Sequence, residues 1–430
     1  MSQTEALEEL SKEDLIKKCQ DLLRTNNHLK AELKSCKQKL KLNSSVKSKA
    51  KRMEPNQRPI DFSQYHKKRI ALRILYHGWD YCGFASQENT ENTVEEQIFI
   101  ALIKGKLIED RVSANYSRCG RTDKGVSAFG QVIALDVRGR KKEEFCVEPT
   151  KGILEPSDIP YVKALNRLLP LDIRVIAYAD VTPDFDARFS CGGRTYKYFF
   201  PASNLDVEVM HEAAQRLLGE HDFRNFCKVD VGNNINHFMR NIVRFHVRRV
   251  QQTGSPRDMC EMEITGRAFL WHQVRCMAAV LFLIGLHHEK PQVIDFLLDI
   301  EKCPKRPQYG IASEIPLILY DCTYENINWV YEKDFNDFNI QRLEEYWVEK
   351  SVQSIGLRTM IDYLHEKIPT DSLCPASCLL TGYAFREYQP LEERNVCGGL
   401  ERHLEKQAVK RIKLEGKYQQ QRQKEEASIE

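Results

Sequence analysis

No run of apolar residues in this sequence is long enough to cross a bilayer. The longest nearly uncharged stretch, Cys276 to His288, falls short of the roughly 20 residues a spanning helix needs and reads as a buried helix. The first ten residues carry Glu5, Glu8 and Glu9 and no apolar run, which argues against a secretory leader. An excess of one charge is also missing. The 64 Lys and Arg against 61 Asp and Glu leave a net charge of +3, so any affinity for nucleic acid must come from local patches. No glycine-rich nucleotide-binding loop is present. The 14 cysteines form no framework, and the closest pair, Cys374 and Cys378, lacks the second pair a zinc site would need. They read as reduced thiols in a protein of the nucleus or cytoplasm, with no metal.

What is present is a chain with real cores: 42% of its 430 residues are hydrophobic. Residues 6 to 42 form a polar helix with a heptad. Leu15, Leu22, Leu29 and Cys36 repeat at one seam position, and Cys19, Asn26, Leu33 and Leu40 follow four residues on. A two-stranded coiled coil fits this pattern, with Asn26 fixing the register and a homodimer as the result; a lone amphipathic helix docked on its own body fits it equally. Residues 43 to 67 are a basic linker, with Lys47, Lys49, Lys51 and Arg52 ahead of Pro55 and Pro59.

The middle of the chain alternates strands and helices. Ile70, Leu72, Ile74 and Tyr76 alternate into a first strand, and Thr93 with Glu96 makes a capping box that opens a helix to about Lys104. A strand at 131 to 137 ends in a polar surface crossing, Arg138 to Ser157. A helix through Leu165 and Leu168, strands at 173 to 179 and 195 to 200, and a helix at 207 to 219 follow. Strands near 241 to 250 and 260 to 266 and a helix at 271 to 286 complete an α+β pattern. On one strand Arg240, Arg244, His246 and Arg248 face one way, and Val243, Phe245 and Val247 the other. Cross-strand pairing with Glu261 and Glu263 explains the charged face better than RNA does.

The densest chemical signal is Ser117-Arg118-Cys119-Gly120-Arg121-Thr122-Asp123-Lys124-Gly125-Val126-Ser127-Ala128. Two glycines bracket one carboxylate, and Arg118, Arg121 and Lys124 surround it. Such an Asp keeps a depressed pKa and is an ionised nucleophile at neutral pH; the bland alternative is a solvated turn. Arg275 adds an independent argument. It opens an apolar helix with no charged residue from Cys276 to Leu286, and a buried guanidinium without an acidic partner costs several kcal/mol.

The extended loop resembles the signature of the TruA family of tRNA pseudouridine synthases. Arg194-Thr195-Tyr196-Lys197-Tyr198 and the run from Thr265 through Phe269-Leu270 to Gln273-Val274-Arg275 resemble two further family motifs in the right order. Smaller matches are Gly83-Phe84 with Gln87, Phe185 with Ala187-Arg188, and His221-Asp222-Phe223. The resemblance spans roughly residues 68 to 325. It implies the pseudouridine synthase fold, two ferredoxin-like halves joined into one continuous sheet flanked by helices with an RNA cleft across it. Residues 68–157 would be the first half of the catalytic domain, 158–325 the second, and 326–430 a helical extension with a partly disordered basic tail.

By the same resemblance Asp123 is the catalytic carboxylate and Arg121 fills the space left by a flipped uridine. Tyr196 stacks on the uracil, and Arg275 pairs with Asp123, with Glu263 or another acid as the alternative partner. Arg118, Lys124, Leu270, Phe84 and Gln87 complete the substrate site. The reaction cuts N1–C1′ and rejoins the base through C5, so neither cofactor nor metal is required. The partner would be the anticodon arm of tRNA. The runs Ala71 to Gln87 and Pro307 to Cys322 narrow the resemblance to the eukaryotic branch that modifies positions 38 and 39, with the branch acting at 27 and 28 as runner-up.

Three other readings compete. A non-catalytic RNA-binding protein would have no need of a buried, cation-flanked carboxylate. A glycosidase would want a second carboxylate beside Asp123. A cysteine enzyme using Cys119 would need a Cys–His signature. Past residue 325 no chemical motif stands out. Lys410-Arg411-Ile412-Lys413 fits a short nuclear import signal, but a solvated helix face is the simpler reading.

Overall fold

A computed structural model of the chain describes residues 60–142, 159–228, 237–251, 253, 257–368, 379–381 and 387–398. The heptad at 6 to 42, most of the basic linker, the pair Cys374 and Cys378, and the cluster at 410–413 lie outside them. The chain divides into two units, Met1–Asp61 and Phe62–Glu430, and the sheet described here belongs wholly to the second. Among the described residues no helix is long and apolar enough to cross a membrane.

The first alternating run forms β1 (Tyr65–Tyr76), three residues earlier than the linker boundary suggested. Helix α1 (Val94–Lys104) begins where expected, the Thr93 hydroxyl accepting the Glu96 N–H at 3.3 Å. The reciprocal arm of the box does not close. Glu96 instead binds Arg111 and the Ser86 hydroxyl. Short β2 (Ser117–Arg118) pairs with β3 (Ser127–Lys141), which takes in Arg138 to Lys141 from the expected surface crossing. Next come α2 (Tyr161–Asn166), β4 (Ile173–Asp180), β5 (Gly193–Pro201), α3 (Val207–Gln215) and β6 (Gly219–Asp222). Strands β7 (Met239–Arg249) and β8 (Met259–Gly266) precede α4 (Gln273–Gly285) and α5 (Val293–Leu298). The described chain ends with β9 (Ile311–Ala312), β10 (Leu317–Thr323), a 35-residue helix α6 (Lys333–Lys367) and β11 (Leu380–Thr381).

One large mixed sheet runs β4-β1-β3-β10-β5-β8-β7-β6, with β2 at the side of β3, and β9 and β11 pair separately. Every junction in the large sheet is antiparallel except β3 with β10, where Ile318 meets Ser127 and Leu319 meets Ala128. Two apolar clusters hold the layers together. The first contains the buried faces of β1, β3 and β4 with α1 and α2; the second contains β5, β7 and β8 with α3 and α4. Every side chain of α4 is buried, as its lack of charge after Arg275 requires. Tyr196 packs against both clusters.

On β7 the charged face is paired as read from sequence: Arg244 Nη1 lies 3.1 Å from Glu263 and Arg248 Nη2 2.5 Å from Glu261. Val243 does not join the buried side. A register shift between Ile242 and Arg244 reverses the alternation, so Ile242 is buried and Val243 is exposed.

Candidate active site

The turn between β2 and β3 carries Asp123 and is bound to its surroundings at Gly120 and Thr122. The Gln131 side chain bridges both polar atoms of the Gly120 backbone, donating to O at 2.9 Å and accepting from N at 3.3 Å. The Thr122 hydroxyl shares a 2.7 Å bond with buried Tyr76, and the Thr122 carbonyl accepts the Phe84 N–H at 3.1 Å. Gly125 is left-handed (φ +80°), and a Cβ there would come within 2.8 Å of Glu314 Cγ, so backbone and neighbour both demand glycine. Gly83 (φ +106°) approaches the Thr122 carbonyl from the other side. Gly120 meets no such constraint; its flank is open.

Two consecutive residues at the start of α4 hold the carboxylate. The Trp271 Nε1–H donates to Asp123 Oδ1 at 3.2 Å, and His272 Nε2 stands 3.2 Å from Oδ2. His272 is itself left-handed (φ 60°), an uncommon conformation for a residue with a side chain. Burial works against the Asp123 charge, but the His272 hydrogen bond, the charges of His272 and Arg275 and the Trp271 bond outweigh it. Its carboxyl is held below the usual carboxylate range. Sequence reasoning gave Trp271 and His272 no role. The signal available was a pair of hydrogen-bonding aromatics immediately ahead of Arg275 on the same helix entry.

Arg275 does not take Asp123 as its direct partner. Its Nη2 binds Glu314 Oε2 at 2.7 Å and its Nε donates to the Ala312 carbonyl at 2.7 Å. Glu314 is the "other acid" that burial required, and it presses on Gly125. Arg275 therefore acts on Asp123 through its field and through the loop behind it. Glu263 instead serves Lys197 and Arg244.

The remaining expected residues separate into two groups. Arg121 and Lys124 are exposed, with no hydrogen bond or ion pair among the described residues. Tyr196 is half-buried, its ring edge-to-face with Phe269 at 5.0 Å, and burial raises its hydroxyl so that it stays protonated. Phe84 corrects the expectation: it is wholly buried against Tyr76, so it supports the loop from below and reaches no substrate. Leu270 is also core, 5% exposed. Gln87 closes its own turn by donating to the Cys82 carbonyl at 2.8 Å. Arg118 is engaged by Glu95. Burial opposes the Glu95 charge, but the Ser86 N–H, the Tyr116 hydroxyl and Arg118 together hold its pKa down.

Comparison with known proteins identifies the family. A family profile described as tRNA pseudouridine synthase matches residues 213–325. The human tRNA pseudouridine(38/39) synthase is 43% identical over 422 residues, covering 91% of this chain and 87% of that protein. The Saccharomyces cerevisiae protein of the same name is 43% identical over 328 residues, 74% of this chain and 72% of its own. The tRNA pseudouridine synthase A of Methanosarcina mazei is 32% identical over 305 residues, 70% of this chain and 98% of that protein. A carboxylate gripped at both oxygens in the family's loop, with this extent of identity, leaves one assignment: the chain belongs to the TruA family of tRNA pseudouridine synthases, in the eukaryotic 38/39 branch.

Proposed function

We propose that this protein isomerises uridine to pseudouridine at positions 38 and 39 of the tRNA anticodon arm, with Asp123 as the catalytic carboxylate. The observation that carries the reading is the ionised Asp123 held by Trp271 and His272 at a loop where Arg121 and Lys124 have no partner among the described residues. An exposed, unpaired guanidinium two residues from the carboxylate suits a phosphate or the space left by an extruded base, and flipping costs roughly a few kcal/mol. Tyr196 offers a ring to the extruded uracil, for which stacking is worth about 1–3 kcal/mol.

In the reaction N1–C1′ breaks, the base turns, C5–C1′ forms, and the proton lost from C5 is balanced by one gained at N1. Asp123 either attacks C1′ or steers elimination to a glycal; both keep the carboxylate at the sugar. The two clusters on one sheet suit two ferredoxin-like halves with the cleft at their junction, but α2 and β4 pack with β1 and β3, so the first half runs past the expected boundary at residue 157 to about Cys191. Anticodon-arm recognition through shape and phosphate fits a site whose free side chains are Arg and Lys.

A homodimer is part of the proposal, with support in α6. Ile340, Leu343, Trp347, Leu357, Ile361 and Leu364 fall at a and d positions of one heptad that Lys350 and Ser354 interrupt midway, and all but Leu343 are exposed by 45% or more. A second copy of α6 is the occupant such a seam fits. Action in both nucleus and cytoplasm completes the reading. The experiment is tRNA sequencing for pseudouridine in cells lacking the protein: loss at 38 and 39 is expected, and loss at 27 or 28 with 38 and 39 intact would transfer the chain to the other branch.

A further inference from the structure

Three cysteines distant in the chain meet beside the Asp123 loop. Cys119 enters the loop, Cys191 lies just before β5 and Cys322 is in β10. All three are buried, and their Sγ atoms lie within 4.8 Å of one another. The Cys119 and Cys322 sulfurs are 3.3 Å apart although 203 residues separate them in sequence. Packing alone does not call for three thiols at one point, since other small side chains fill such a space.

The second observation is Arg194, cross-strand neighbour of Cys322 in the β5–β10 pairing. Its guanidinium donates only to carbonyl oxygens, those of Arg267 at 2.6 Å, Cys119 at 3.0 Å and Arg188 at 3.3 Å. No carboxylate among the described residues pairs with it. A half-buried cation without an acid, next to three groups that become anions on losing a proton, lacks its negative counterpart.

We infer that Cys119, Cys191 and Cys322 form a thiolate site for one zinc ion. Three thiols and Zn2+ give a tris-thiolate complex and three released protons. The complex carries a single negative charge, which Arg194 neutralises. The same balance chooses the metal: Cu+ on three thiolates would leave two negative charges against one guanidinium, and Mg2+ or Ca2+ takes oxygen rather than sulfur. Sulfurs at zinc distance in a tetrahedron stand about 3.8 Å apart, so the observed cluster closes on an ion with shifts of about an ångström or less. Three protein sulfurs leave the fourth position of the tetrahedron to a water molecule. The ion ties the entry of the Asp123 loop to β10 and to the start of the strand that carries Tyr196. It is a structural staple and takes no part in the chemistry. Sequence spacing hides it because each ligand comes from a different element.

The test is the metal content of the full-length chain purified without chelators. About one zinc per chain is expected, falling several-fold in Cys191→Ser and in Cys322→Ser and unchanged in the Cys374→Ser/Cys378→Ser double variant. Metal-free wild-type protein titrated with Co2+ should develop thiolate-to-cobalt charge-transfer absorption, a readout that does not depend on a variant folding. Protein that carries no zinc and gives no such band overturns the inference. So does zinc that persists in Cys191→Ser, zinc that departs with Cys374 and Cys378, or copper in place of zinc.

Discussion

His272 Nε2 stands 3.2 Å from Asp123 Oδ2, and it reaches that position through a left-handed backbone. A left-handed residue with a side chain costs about 1–2 kcal/mol, which the surrounding structure must sustain. The following residues enter α4 at once, so the turn that strains His272 also aims Trp271 at the other oxygen. Helix entry and carboxylate orientation are one structural event.

The first prediction concerns pH. The folded pKa of Asp123 is depressed, so the ionised form and the stability it adds are present above the unfolded value of about 3.9 and are lost only as pH falls through the folded one. The acid limb of kcat/KM due to Asp123 should therefore lie below about pH 4. Trp271→Phe removes one donor and should move that limb upward. An unmoved limb in a folded Trp271→Phe protein would mean the indole bond does not act on the carboxylate.

Asp123→Asn should abolish pseudouridine formation while leaving tRNA affinity within a few fold, because affinity rests on phosphate contacts. Tritium release from 5-tritiated uridine in tRNA measures the first, and filter binding the second. Residual turnover by the pure, folded variant would remove Asp123 from the chemistry.

Arg275 and Glu314 should behave as a coupled pair. Arg275→Met leaves the half-buried Glu314 and the buried Ala312 carbonyl without their donor and should cost about 1–3 kcal/mol, the range for leaving a buried acceptor unsatisfied. A double-mutant cycle with Glu314→Gln should show coupling of more than about 1 kcal/mol in denaturant unfolding. Additive effects would show that the two do not support each other.

Arg121→Ala and Lys124→Ala should each weaken tRNA binding and reduce the salt slope of log K by about one if the freed side chain was on a phosphate. Arg121→Ala should also slow single-turnover rates at saturating enzyme, since it is assigned to the extruded base's place. A slope unchanged in both variants would put phosphate contact elsewhere.

Ile361→Asp with Leu364→Asp should convert a dimer to monomer in sedimentation without unfolding the sheet. Both side chains are exposed and charge costs nothing there unless the face is covered. A wild-type protein that sediments as monomer, or a variant that remains a dimer, excludes the α6 seam.

Much of this site was legible in the sequence because the signals were local. The glycine-bracketed carboxylate, the alternation of β1 and β3 and the uncharged run of α4 each sit within a few turns or strands of chain. Arg275 illustrates the limit. Burial correctly demanded an acid, but which acid depended on β9 and the segment before β10, elements too short to leave a period. Glu314 gave no cue. Phe84 and Leu270 read as substrate contacts by motif, yet in the fold they underpin the loop. The phase change at Val243 came from a one-residue bulge that no alternation pattern encodes. The heptad in α6 left a weak signal because Lys350 and Ser354 interrupt its seam and further apolar residues stand off it.

The parallel junction of β3 with β10 has a consequence for how the protein is made. It rests on two residue pairs, Ile318 with Ser127 and Leu319 with Ala128, and the Asp123 turn lies directly before Ser127. Emerging from the ribosome, the loop waits while almost two hundred further residues are synthesised before Glu314 and β10 arrive to brace it. A nascent chain thus carries the reactive carboxylate long before it can aim it, and any product truncated ahead of Glu314 lacks the brace behind that loop.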